Sequence, residues 1–158
     1  EEELRVGKPQ GFHVLALDAF SSDAIPVHLL TKESVAIYLK HLDPKGVLAV
    51  HISNRYLDLE PVVRRLAREF DLTMMVVDNP AGGFGEEWVY ASTWVLLGRD
   101  PGFFEIPELW GYPVADLTQN EDSPLWSDDY ASIFRIMYKP AWWYRWADRW
   151  KRLTGQTP

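Results

Sequence analysis

Two carboxylates stand close together behind a run of strand-forming residues. In LALDAFSSDAIPVHLLT, residues 15 to 31, Asp18 leaves the apolar run and Asp23 follows before any helix begins. A carboxylate at the end of a buried strand is costly to desolvate unless something positive or hydrogen-bonding meets it. Such a pair suits the holding of a cation and the acceptance of a proton from it. The other candidates are His51, Ser53 and Asn54, which close the next apolar run, and Tyr90 with Ser92, which open the last one. Each also has a plainer use. A polar residue after a strand is often a turn former or helix cap, and Asp23 before Ala-Ile-Pro fits a turn cap. A histidine can sit in a core and donate to a carbonyl, and a strand tyrosine commonly packs.

Positioning these residues requires strands that end at one edge. FHVLAL at 12 to 17 is a short, nearly continuous apolar run, the pattern of a strand buried in a parallel sheet. Thr31 is placed to cap a helix whose Val35, Tyr38, Leu39 and Leu42 share one face, with Asp43-Pro44-Lys45-Gly46 ending it. VLAVHI at 47 to 52 predicts the second strand. A helix follows with Pro61 in its first turn and Val63, Leu66, Ala67 and Phe70 on its apolar face. LTMMVV at 72 to 77 predicts a third strand, and the glycine-rich NPAGGFG at 79 to 85 leads to a fourth over 90 to 97. Strands alternating with helices imply right-handed crossovers and an α/β class, with the last strand a candidate for antiparallel pairing. Ligands of open parallel sheets bind beyond the carboxyl ends of the strands, which is where Asp18, Asp23, His51, Ser53, Asn54 and the loop before Tyr90 would project.

Residues 101 to 126 turn rich in Pro, aromatic and acidic side chains and read as an irregular connection. Ser127, with Asp128 and Asp129 behind it, could cap a helix burying Tyr130, Ile133, Phe134 and Met137. A further helix after Pro140 would place Trp143, Trp146, Trp150 and Leu153 on one side. The expected organisation is a main domain over 1 to 100, a connection over 101 to 126, and C-terminal helices over 127 to 158. Tryptophans beside Arg and Lys can pack on a domain or lie at a membrane interface, so that tail is a candidate membrane contact.

The chain has 158 residues, 47% of them hydrophobic, enough for one core. Sixteen Lys and Arg against 23 Asp and Glu give a net charge of −7, which argues against a general nucleic-acid binder and mildly favours cationic partners. There is no cysteine, so neither a disulfide framework nor a thiolate metal site can form, as in many intracellular domains. No apolar run approaches the roughly 20 residues needed to span a bilayer. A start at Glu1 that runs almost at once into a strand suggests a piece of something longer.

The stretch LDAFSSDAIPVHLLTKESVAIYLKHLDPKGVLAVHISNRYLDLEPVVRRLA resembles the carboxyl-terminal half of the polyamine aminopropyltransferase (spermidine synthase) family, most of all its bacterial membrane-fused branch. The likeness covers roughly residues 10 to 100. It implies the carboxyl-terminal half of a Rossmann-like, methyltransferase-type doubly wound sheet with extra C-terminal helices. It also implies transfer of an aminopropyl group from decarboxylated S-adenosylmethionine to an amine such as putrescine. By motif position Asp18 would be the general base and cation anchor, and Asp23 a second amine-holding carboxylate, although the family's usual spacing between the two is shorter. Tyr90, similar to a tyrosine that assists the amine, would complete the catalytic set, with Ser92 beside it. His51 stands where many soluble members carry glutamine, suggesting a substrate contact.

The chemistry suits that assignment. A primary amine has a pKa near 10.4, so freeing its lone pair at pH 7 costs about 4 to 5 kcal/mol, and a carboxylate can first attract the ammonium and then take its proton. The leaving group is already cationic sulfur, so positioning is the main requirement and no metal is expected. The family's glycine-rich nucleoside loop has no counterpart here, because AGGFG at 81 to 85 lies between late strands. The cofactor-binding half should therefore lie outside the chain, which alone would be inactive. Strand 12 to 17 would then be an open apolar edge, and a homodimer across it is expected. The expected setting is cytoplasmic, as the soluble domain of a membrane-anchored parent. Two other readings share the scaffold: an S-adenosylmethionine-dependent methyltransferase, and a non-catalytic amine-sensing or interaction module.

Overall fold

A computed structural model of the chain describes residues 7–19, 27–54, 56–82, 88–118 and 125–138. Asp23 and the Trp-rich segment with Trp143, Trp146 and Trp150 lie outside the described residues.

The apolar runs form a four-stranded sheet: β1 (Phe12–Leu17), β2 (Leu42–His51), β3 (Thr73–Asn79) and β4 (Ser92–Gly98), in the order β1-β2-β4-β3. β1 and β2 are parallel, and β4 runs antiparallel to both β2 and β3. β4 inserts between its two predecessors, so the carboxyl ends of β1, β2 and β3 share an edge with the start of β4. That common edge places Asp18, His51, Asp78 and Ser92 at one rim of the sheet.

The crossover helices are α1 (Lys32–His41) and α2 (Glu60–Glu69). Thr31 caps α1 as its sequence position predicts: its Oγ1 accepts from the Ser34 amide at 3.3 Å. α2 has Pro61 in its first turn, and Asp58 Oδ1 accepts from the Glu60 amide at 3.2 Å. It stops at Asp71, whose φ of 51° places it in the left-handed region, with the Leu72 amide returning to the Ala67 carbonyl. Val35, Tyr38 and Leu39 of α1 and Val62, Val63, Leu66 and Ala67 of α2 bury one sheet face with Leu48, Val50, Met74, Val95 and Leu97.

β2 begins five residues before its expected start. The predicted stop Asp43-Pro44-Lys45-Gly46 is a bulged entry into the strand, where the β1 register shifts between Phe12 and Val14. Asp43 Oδ1 accepts from the Lys45 amide at 2.9 Å, and a Cβ on Gly46 would lie 2.5 Å from the Phe12 carbonyl oxygen, so the close approach needs glycine.

The helix expected from Ser127 is not present over 127–138. Tyr130, Ile133, Phe134 and Met137, its supposed apolar stripe, are all exposed. The Asp128 groups that would have opened the helix are drawn elsewhere: its amide donates to Glu33, and its Oδ1 accepts from Thr31 Oγ1 at 2.8 Å. Ser127 and Tyr130 close a tight turn, and a short 3-10 turn spans Ile133–Arg135. The residues that enter the core are instead Trp126, fully buried, and Ile136. The 101–118 connection holds 3-10 turns at Pro101–Glu105 and Pro107–Leu109, then pairs Val114 with Met75 on the outer edge of β3. At the opposite edge, β1 pairs only with β2 among the described residues. Its Phe12 and Val14 are exposed, the latter at 61%.

Candidate functional site

Asp18 is the first residue beyond β1 and His51 the last of β2. Parallel pairing of Leu17 with Val50 brings them together. His51 Nδ1 lies 2.7 Å from Asp18 Oδ1. The two differ sharply in burial: the Asp18 side chain is 59% exposed and that of His51 13%. Antiparallel register sets His51 opposite Trp94, and the two rings stack with centroids 4.9 Å apart and planes 18° from parallel. The far ring nitrogen, Nε2, is buried without a hydrogen-bond partner among the described residues.

Along the same edge lies a cavity of about 730 Å³, lined by Ser53, Asn54, Asp58, Glu60, Asp78, Asn79, Ser92, Thr93 and Tyr138 among others. Among the described residues its ionisable lining groups are three carboxylates and a phenol. Burial raises the Asp58 carboxyl above its ordinary range, opposed by the hydrogen bond from the Glu60 amide and reinforced by the Glu60 charge. Burial likewise raises the Tyr138 phenol, helped by the charges of Asp58 and Glu60. Both shifts come first from burial, and neighbouring carboxylate charge adds to each. Among the described residues no group of three or more His, Asp or Glu side chains is arranged to hold a metal ion.

The sequence candidates separate in this geometry. Asp18 and His51 are in contact, but neither lines the cavity. Ser92 does line it. Tyr90, 81% exposed, precedes β4 and does not line it. Ser53 and Asn54 are structural as well as cavity-lining: Ser53 Oγ accepts from the Thr93 amide at 2.7 Å, and Asn54 Oδ1 accepts from the Tyr56 and Leu57 amides. Sequence reading missed Trp94, Asp58, Glu60, Asp78 and Tyr138. Asp78 carried the same signal as Asp18, a carboxylate leaving an apolar run. Trp94 shows its role only once the register with β2 is known.

No helix among the described residues is long and apolar enough to cross a membrane. No family model and no curated protein matches the chain. Among solved structures, a probable spermidine synthase from Corynebacterium glutamicum is similar with a TM-score of 0.51 and 17% identity, over 88% of this chain and 54% of that one. The chain thus spans about half the length of that protein. At this identity the likeness establishes the fold alone: the mixed α/β sheet has a Rossmann-like, methyltransferase-type architecture.

Proposed function

We propose that the chain is the amine-receiving half of a spermidine synthase-like aminopropyltransferase, with Asp18 as the group that anchors an ammonium and accepts its proton. The observation that carries this reading is the Asp18–His51 contact at the strand-exit edge, next to a cavity whose charged lining is acidic. A diamine such as putrescine is a dication and suits an edge that presents Asp18, Asp58, Glu60 and Asp78. The amine nitrogen attacks the carbon beside the sulfonium of decarboxylated S-adenosylmethionine. The new C–N bond forms as the C–S bond breaks, sulfur leaves neutral, and the nitrogen's proton passes to carboxylate. Ser92, which opens β4, and Tyr90, just before it, line the approach, and Asp23 is the second anchor.

In this reading the nucleoside-holding half is a separate structural unit, and the chain by itself turns over poorly. The open edge of β1 is where another strand pairs, in the isolated chain that of a second copy. The setting is cytoplasmic, with the Trp-rich tail as a contact to membrane or domain.

The test is transfer of label from decarboxylated and from ordinary S-adenosylmethionine to 1,4-diaminobutane, by the chain and by the longest natural polypeptide that contains it. Label moving from the decarboxylated donor alone in the longer polypeptide supports the reading. Methyl transfer from the ordinary donor would establish a methyltransferase instead, and no transfer with no amine binding would leave a scaffold module.

A further inference from the structure

We infer that His51 is a positioning residue for the Asp18 carboxylate, an assignment that rests on the amine-receiving reading of Asp18. The direction of control follows from the asymmetry in burial. Asp18 lies past the end of its strand with its side chain 59% exposed, where an unrestrained carboxylate rotates through several rotamers. His51 is held on three counts: it ends a strand paired on both sides, its ring is 13% exposed, and that ring lies flat on Trp94. In the familiar carboxylate–histidine pairs a buried carboxylate orients the imidazole. Here the imidazole is the fixed member and orients the carboxylate.

The proton can be placed from the partners. A carboxylate only accepts, so the 2.7 Å contact requires the hydrogen on Nδ1. Nε2 is buried with no acceptor among the described residues, so a hydrogen there would be stranded. His51 is therefore the Nδ1–H tautomer with its lone pair on Nε2. This bond engages Oδ1 of Asp18, while Oδ2 takes no hydrogen bond among the described residues. An approaching ammonium thus meets one presented oxygen on a carboxylate whose rotation is already restricted. Trp94 acts one step further back, as the plate that sets the ring plane.

Two measurements on the chain decide the matter. In nitrogen-15 and proton NMR, the wild type should show a downfield, slowly exchanging His51 Nδ1 proton, and Asp18→Ala should abolish it. In titration with 1,4-diaminobutane, His51→Leu should bind about tenfold more weakly, the scale of one lost charge-assisted hydrogen bond, and His51→Gln, whose amide can donate to Asp18, should recover most of the loss. The proposal is overturned if the Nδ1 proton survives Asp18→Ala. It is also overturned if Asp18→Ala loses the diamine while His51→Leu binds it as the wild type does; the reading of Asp18 then stands alone. Normal diamine binding by Asp18→Ala would overturn both. Should His51→Leu fail to fold, the Nδ1 measurement still decides, because Asp18→Ala alters an exposed side chain.

Discussion

The guanidinium of Arg64 donates to the carbonyl oxygen of Asp116 at 2.6 Å and to the carboxylate of Glu60 one turn earlier on α2. Arg64 is only 8% exposed, so this one side chain ties the helix to the irregular connection and steadies a carboxylate that lines the cavity. Arg64→Ala removes buried methylenes and the hydrogen bonds that its guanidinium donates to the Asp116 carbonyl and the Glu60 carboxylate. The expected cost is about 2 kcal/mol, read as a lower urea midpoint at unchanged slope. Arg64→Met, which keeps the stem, should lose less.

Trp126 is fully buried, and its carbonyl accepts from the Lys32 amide at 2.9 Å where α1 begins. The last residue of the irregular connection is thus part of the main core. Trp126→Ala should destabilise by about 3 to 5 kcal/mol in equilibrium unfolding. A loss below about 1 kcal/mol would mean that the segment around it is dispensable.

These two contacts mark where sequence reading stopped working. The extent of β1, the Thr31 cap and the apolar face of α2 followed from periodicity and capping, because neighbours in sequence decide them. The insertion of β4 between β2 and β3 did not, since strand order depends on long-range pairing. The stripe at 130, 133, 134 and 137 had helical spacing, yet Asp128 found better partners in Thr31 and Glu33, and Trp126 outweighed the stripe in the core. At the site, the edge carrying Asp18 and His51 was legible from strand ends. The contact between them, and the Trp94 plate, required the registers of two strand pairs.

Asp58 offers a test through pH. Burial raises its pKa in the folded chain above the ordinary value of 3.8, so the folded state favours the protonated form. Its contribution to stability is therefore full below that ordinary value and is lost as pH rises through the folded value. Asp58→Asn keeps an oxygen to accept from the Glu60 amide and removes the charge. The variant should be more stable than the wild type at pH 7, and the gap should shrink as pH falls toward 3.8 in urea unfolding. A variant less stable at pH 7 would mean that the charge is compensated by a partner.

At the open edge of β1, pairing of two copies predicts a dimer of the chain at micromolar concentration by light scattering. Val14, 61% exposed, is the residue to change, because a charge on an unpaired edge opposes strand addition. Val14→Lys should be monomeric with an unchanged circular dichroism spectrum. A monomeric wild type would remove the second copy as occupant of this edge.

Equilibrium binding of 1,4-diaminobutane to the chain, compared between wild type and Asp18→Asn by titration calorimetry, bears most directly on whether the carboxylate beyond β1 receives a cationic amine. Loss of one charge with the shape kept should weaken binding by at least about tenfold, or about 1.4 kcal/mol. Equal affinity in the two proteins would contradict the account.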